Sequence, residues 1–258
     1  MEDQKVLGQR IRSFRKRAGL SQMNLELELE SSPGSLSRIE NGEVNPTKET
    51  LYKISDHLDL SNQERQYLYG SWFNPASESE VLLAIEDTSE YFNKKGVLAY
   101  ILDERFRFIS VSRSFRKILG FSAEQEKQAY LQPFISLIVN NEFGIRDLFP
   151  DGIYEELLFN ILASFYSDCG FMQDDEIVKA QIETITKNKI SRKIWEEILE
   201  KPIRKYNEID SRKVILKISG VEVEMHYVRE PLYRNRRFEI VEYSPSHPFV
   251  KLINKLVM

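Results

Sequence analysis

Apolar positions in the first seventy or so residues recur at helical spacing, broken by short polar stretches. In residues 6–17, Val6, Leu7, Ile11 and Phe14 fall near one face with basic residues between them, which predicts an amphipathic helix. Ala18-Gly19 ends it, glycine being a natural helix stop. Ser21 is placed to cap a second helix that carries Leu25 and Leu29 one turn apart. That helix is expected to stop before Ser31-Ser32-Pro33-Gly34, with Ser32 as N-cap and Pro33 as first residue of a third helix. The third helix turns Leu36 and Ile39 inward and ends at Asn41-Gly42. Asn45-Pro46-Thr47 opens a fourth, with Leu51, Ile54 and Leu58 inward. Ser61 and Glu64 have the spacing of a capping box for a fifth. Five short helices of this kind make a compact bundle.

The pattern then changes. Residues 71–80 are polar and contain Pro75, the composition of a linker. Residues 80–95 read as an amphipathic helix with Val81, Leu82, Ile85 and Tyr91 or Phe92 inward, an element to connect domains or support a dimer. Residues 97–102 are an apolar run of strand length, and in residues 105–111 Phe106 and Phe108 alternate with Arg107 and Ile109. A short helix over 114–119 ends at Gly120, and Ser122 with Gln125 is spaced to cap another. Further helices are expected at about 131–140, 151–167, 174–188 and 191–200. The stretch IYEELLFNILASFY is apolar nearly all round, so it belongs deep in a core or along a cavity. Val214, Leu216 and Ile218 then alternate with polar residues, Ser219-Gly220 is a two-residue hairpin turn, and Val221, Val223, Met225 and Tyr227 alternate with Glu222, Glu224 and His226. After a loop at 231–236, residues 237–243 complete an antiparallel meander with one wet face.

Length and composition narrow the class. The 258 residues suffice for one large or two modest domains. No run reaches the roughly 18 apolar residues of a membrane span, and the polar start lacks the apolar stretch of a secretion signal. A single cysteine, Cys169, excludes an internal disulfide, so a cytoplasmic protein is expected. The net charge of −4 argues against nucleic acid for the chain as a whole. Locally, however, Arg10, Arg12, Arg15, Lys16 and Arg17 crowd one early segment. Cys169 reads as an incidental buried thiol, and His57, His226 and His247 lack metal spacing. No nucleophile–base arrangement or phosphate loop is present, so neither a cofactor nor an enzyme is expected.

The words LGQRIRSFRKRAGLSQ, LSRIENG and NPTKETLYKISDHL, in that order, resemble the phage-repressor/Cro (XRE) helix-turn-helix family over residues 4–69. The resemblance implies a partner, double-stranded DNA, with the third helix in the major groove. By position it gives base-facing roles to Pro33, Gly34, Ser37 and Arg38, and places Ser32 and Ser35 at the groove edge. Gln22 and Asn41 match phosphate contacts, with Arg10 and its basic neighbours adding attraction. Arg38 has the planar fork that suits guanine O6 and N7. The other reading is that it pairs with Glu40 or another nearby acid, or touches only phosphate. The chain departs from the family at Glu26, where a small residue is usual, at Glu30, where glycine is usual, and at Ser31, usually apolar. These changes predict a loosened turn, a second helix that runs longer or ends differently, and Glu26, Glu28 and Glu30 near the DNA side.

Downstream, AYILDERFRFISVSRSFRKILG, RDLFPDG and GVEVEMHYV…RFEIVEYSP are similar to the PAS-like ligand-binding domain of MmyB-like XRE regulators, over about residues 96–247. The insert between Gly120 and Pro133, and Ser112 where many PAS domains carry Asn, depart from that pattern. The expected fold class is thus an N-terminal all-α helix-turn-helix bundle (1–70), a linker and connecting helix (71–95), a C-terminal α+β PAS-like domain with an antiparallel sheet (96–247), and a tail (248–258). The resemblance implies a pocket for a small hydrophobic ligand such as a fatty acid. Candidate lining residues are Phe106, Phe108, Phe134, Leu158, Phe159, Leu162, Phe165 and Tyr166, with Arg113 or Tyr227 to anchor a carboxylate. The function expected is a ligand-responsive, homodimeric DNA-binding transcription regulator. The second reading makes the C-terminal domain a dimerisation or protein-interaction module without a ligand.

Overall fold

The computed structural model describes residues 2–150, 152–200 and 213–256. Residue 151, where one helix is expected to start, and residues 257 and 258 of the expected tail lie outside the described residues. The chain divides into two compact units, Met1–Pro75 with Phe171–Asp174, and Ala76–Gly170 with Asp175–Met258. The boundary thus falls at Pro75, and the helix expected to connect domains belongs to the second unit's core.

The first unit contains α1 (Glu2–Arg17), α2 (Gln22–Glu28), α3 (Ser35–Glu40), α4 (Lys48–His57) and α5 (Asn62–Tyr69). Its core is built from the inward positions, with Ile11, Phe14, Leu25, Leu36, Ile39, Ile54 and Leu58 all buried. Ser21 and Thr47 cap α2 and α4, and Ser61 with Glu64 forms the reciprocal capping box. α1 lies close against the end of α3 at Gly8. A Cβ there would meet the Ile39 carbonyl oxygen at 2.4 Å, so only glycine fits.

The basic run of α1 is mostly consumed inside this unit. Arg10 is 5% exposed, donates to the Tyr67 and Phe73 carbonyls, pairs with Asp174 and lies over the Tyr67 ring. Arg15 and Arg12 both reach Glu40, and Arg17 pairs with Glu64. The expectation that Arg10 offers an outward charge is therefore corrected: burial requires its guanidinium to be satisfied from within. Lys16 remains exposed.

The second unit is a five-stranded antiparallel sheet with helices on both faces. Its elements are α6 (Glu78–Asn93), β1 (Leu98–Asp103), β2 (Phe108–Val111), α7 (Arg113–Leu119), α8 (Ala123–Ala129), α9 (Phe134–Val139), a 3-10 segment (Glu142–Leu148), α10 (Ile153–Cys169), α11 (Glu176–Lys187), α12 (Lys189–Glu200), β3 (Lys213–Ile218), β4 (Val221–Pro231), β5 (Phe238–Pro245) and α13 (Val250–Leu256). Strand order is β2-β1-β5-β4-β3. β1 is therefore an interior strand between β2 and β5, and all six of its residues are buried, which explains its continuous apolar run. Its Ala99 and Ile101 pack with Val81, Ala84 and Phe92 of α6. The alternate residue Tyr100 contacts the rings of Phe115, Phe134 and Tyr243 on the other face. The turn Ser219-Gly220 has positive φ at both residues, as a tight hairpin with right-handed strand twist requires. Ser112 is buried and caps α7, while its hydroxyl also accepts from Ala99 N–H and donates to the Val97 carbonyl. Cys169 is fully buried. Burial pushes its thiol pKa well up, and the carboxylates of Asp168 and Asp103 add to the shift.

Candidate functional site

α2 and α3 meet at a turn built without the usual glycine. α2 does not run long: it ends at Glu28, and Glu30 takes the left-handed conformation (φ 51°) that glycine normally supplies. Ser32 is not the N-cap of α3, nor Pro33 its first residue. Its N-cap is Gly34, also left-handed, and Gly34 has no side chain with which to cap the exposed amides. Glu26 takes that role. Its Oε2 accepts from Gly34 N–H at 3.1 Å and its Oε1 from Leu36 N–H at 2.8 Å. The residue is 8% exposed, so the expectation that Glu26 faces DNA is overturned. The carboxylate lies at the positive end of α3, where a helix favours negative charge. Ser31 N–H, in turn, donates to the Glu26 carbonyl.

This cap sets how the candidate DNA-reading residues are presented. Ser32, Pro33, Gly34, Arg38 and Asn41 are exposed, whereas Ser35, Ser37 and Gln22 are half-buried. Glu40, the acid that could have neutralised Arg38, is engaged elsewhere. It accepts from Arg15 at 2.6 and 3.0 Å, from Gln22 at 2.7 Å and from Arg12 at 3.2 Å. Burial alone would raise the Glu40 carboxyl, but these hydrogen bonds and the charge of Arg15 outweigh it and hold its pKa below the ordinary range. Among the described residues the Arg38 guanidinium makes no hydrogen bond or ion pair. Asn41 Oδ1 accepts from Arg12 at 2.7 Å, so Gln22, Arg12 and Asn41 share one polar network around Glu40.

The second unit holds an apolar cavity of about 60 Å³ on the α9–α10 side of the sheet. Tyr100, Phe108, Phe115 and Phe134 form part of its wall, and Leu157 and Ile161 of α10 form another. A smaller space of about 30 Å³ shares Tyr100, Phe134, Leu157, Ile161 and Tyr243 with it and adds Phe106, Asn160, Ser164, Tyr227 and Arg229. Of the candidate lining residues, Phe106, Phe108 and Phe134 lie at these cavities. Leu158, Phe159, Leu162, Phe165 and Tyr166 line neither. α10 is rotated so that Leu157, Asn160, Ile161 and Ser164, one i, i+3, i+4, i+7 stripe, face the cavities. Phe165 and Tyr166 instead meet Trp195 of α12. The signal that could have found this face is Asn160, a polar residue within the apolar middle of the helix. Of the two anchors considered for a carboxylate, Tyr227 lines the smaller space and Arg113 lines neither.

Residues 11–62, which span α2 to α4 and the turn between α2 and α3, match the helix-turn-helix family model. The match supports a DNA-binding transcription regulator of the XRE type at the N-terminus. Comparison with curated proteins returns no match. Among the described residues no helix is long and apolar enough to cross a membrane.

Proposed function

We propose that the chain is a sequence-specific DNA-binding regulator in which α3 enters the major groove and Arg38 makes the principal base contact. The observation that carries this reading is the exposed Arg38, whose guanidinium has no partner among the described residues, on a helix whose own buried acid, Glu40, is held by three other side chains. A bidentate arginine–guanine contact discriminates by roughly 1–3 kcal/mol. A six-residue recognition helix with one strong reader is a short reading head. Two copies on paired half-sites double the contacts, which is why we infer a homodimer on DNA. Enrichment of particular duplexes from a random pool by the full-length protein tests the reading, and a pool that stays random rejects it.

The second unit, on this reading, is a PAS-like sensor of a small hydrophobic molecule bearing an aliphatic chain, of which a fatty acid is the simplest. The antiparallel order β2-β1-β5-β4-β3 and the apolar cavity favour it. At about 60 Å³ the cavity is too small for such a chain, so binding must widen it. The wall that yields is the 3-10 segment, which supplies Ile145 and Leu148 and contains or adjoins the left-handed residues Asn141 and Phe143. Hydrogen exchange across residues 141–149 of the full chain should slow when an aliphatic ligand is added. Unchanged exchange with every aliphatic compound tested favours the interaction-module reading instead.

A further inference from the structure

The polar end of the cavity says something about the head of such a ligand, and the argument rests on the sensor reading above. Three observations bear on it. Asn160 is 8% exposed and lines the smaller space, yet its side-chain amide makes no hydrogen bond among the described residues. The amide thus lines the space without a protein partner, and its carbonyl and NH₂ together can both accept and donate. Arg229 lines the same space, and its Nε is buried without a hydrogen-bond partner. Its charge, however, is already answered twice. One terminal nitrogen, Nη2, donates to Asp168 at 2.7 Å and to Glu239 at 2.5 Å. One cation and two carboxylates leave this corner with a formal charge of −1. Burial already pushes the Asp168 carboxyl up; the Arg229 charge pulls it down and the Glu239 charge adds to the rise.

A third carboxylate here would be repelled, whereas unmet donors on Asn160 and Arg229 call for an acceptor. We propose that the cavity binds an aliphatic chain ending in an uncharged carbonyl, an amide or ester, seated against Asn160 and Arg229, in preference to a free carboxylate. An amide head meets both faces of Asn160, since its carbonyl takes the Asn160 N–H and its own N–H reaches the Asn160 carbonyl. Ser164, one turn further along α10 on the same stripe, offers a hydroxyl beside it.

The test compares dodecanamide, dodecanoate and dodecane with the full-length protein at pH 8, by native mass spectrometry and thermal shift. Dodecanamide should bind at least tenfold more tightly than dodecanoate. Asn160→Leu should abolish that preference while leaving dodecane binding unchanged or stronger, which a merely unfolded variant would not do. Dodecanoate binding more tightly than dodecanamide overturns the head assignment and leaves the apolar cavity standing. Failure of all three compounds, dodecane included, overturns the sensor reading itself. An Asn160→Leu variant that keeps the full amide preference also overturns the proposal.

Discussion

Among the described residues the carboxylate of Glu26 is the one side chain that caps α3, so removing it should loosen α3 specifically. In Glu26→Ala two N–H groups, the part-buried one of Gly34 and the buried one of Leu36, lose their acceptor. Loss of a helix N-cap costs about 0.5–2 kcal/mol, and a hydrogen bond to a charged group contributes roughly 1.5–3 kcal/mol. The two contributions overlap, because the same bonds serve as the cap, so a loss of about 2–3 kcal/mol is expected. For a unit of this size, 1 kcal/mol moves Tm by roughly 4–8 °C. The first unit should therefore melt roughly 10 °C or more below wild type. Glu26→Gln keeps the shape and one acceptor and should lose about half as much. The assay is thermal unfolding of the full chain followed by Trp72 fluorescence in a Trp195→Phe background, together with hydrogen exchange at residues 34–36. A Glu26→Ala protein with unchanged Tm and unchanged exchange at those amides would refute the reasoning, because it would mean that water satisfies them equally well.

Other outcomes follow from the same structure. Glu30→Gly relieves a left-handed non-glycine residue and should raise the first unit's stability by roughly 1 kcal/mol, read by the same fluorescence melt. The pKa of Glu40 is depressed in the folded protein, so its stabilisation is complete above its ordinary value of 4.5 and is lost as pH falls through the lower folded value. Glu40→Gln should thus lower Tm at pH 7 and flatten the loss of Tm on acidification below about pH 5. Because Arg10, Arg12, Arg15 and Arg17 are committed to internal partners, few cations remain for phosphates. With about three phosphate contacts per copy, the slope of log K against log salt should be near −3 per copy, and a slope steeper than about −6 would show that the internal ion pairs open on DNA.

Much of this architecture is legible in the sequence because local signals coincide with the tertiary fold. The capping pairs Ser61/Glu64 and Ser122/Gln125, the alternation in β3 and β4, and the Ser219-Gly220 turn all form where the residues predict. The failures come where a long-range partner decides. Nothing local says that Glu26 will reach eight and ten residues onward to cap α3, so Ser32 appears the better N-cap. The basic run of α1 looks outward until Glu40, Glu64 and Asp174 are placed against it. In α10 the near-uniform apolarity hides which stripe meets the cavity, and that choice is made by α12, whose Trp195 takes Phe165 and Tyr166. The 3-10 segment over Glu142–Leu148 carries no periodic signal, since its shape depends on left-handed residues rather than on repeating apolar positions.

The claim that α3 reads DNA through Arg38 is tested most directly by selecting bound duplexes from a random pool with wild type and Arg38→Ala side by side. Wild type should yield a motif containing a strongly preferred guanine, and Arg38→Ala a motif in which preference at that position alone is lost while affinity for bulk duplex changes little. A variant that weakens equally on all sequences and keeps the same motif would contradict it, and would make Arg38 a phosphate contact.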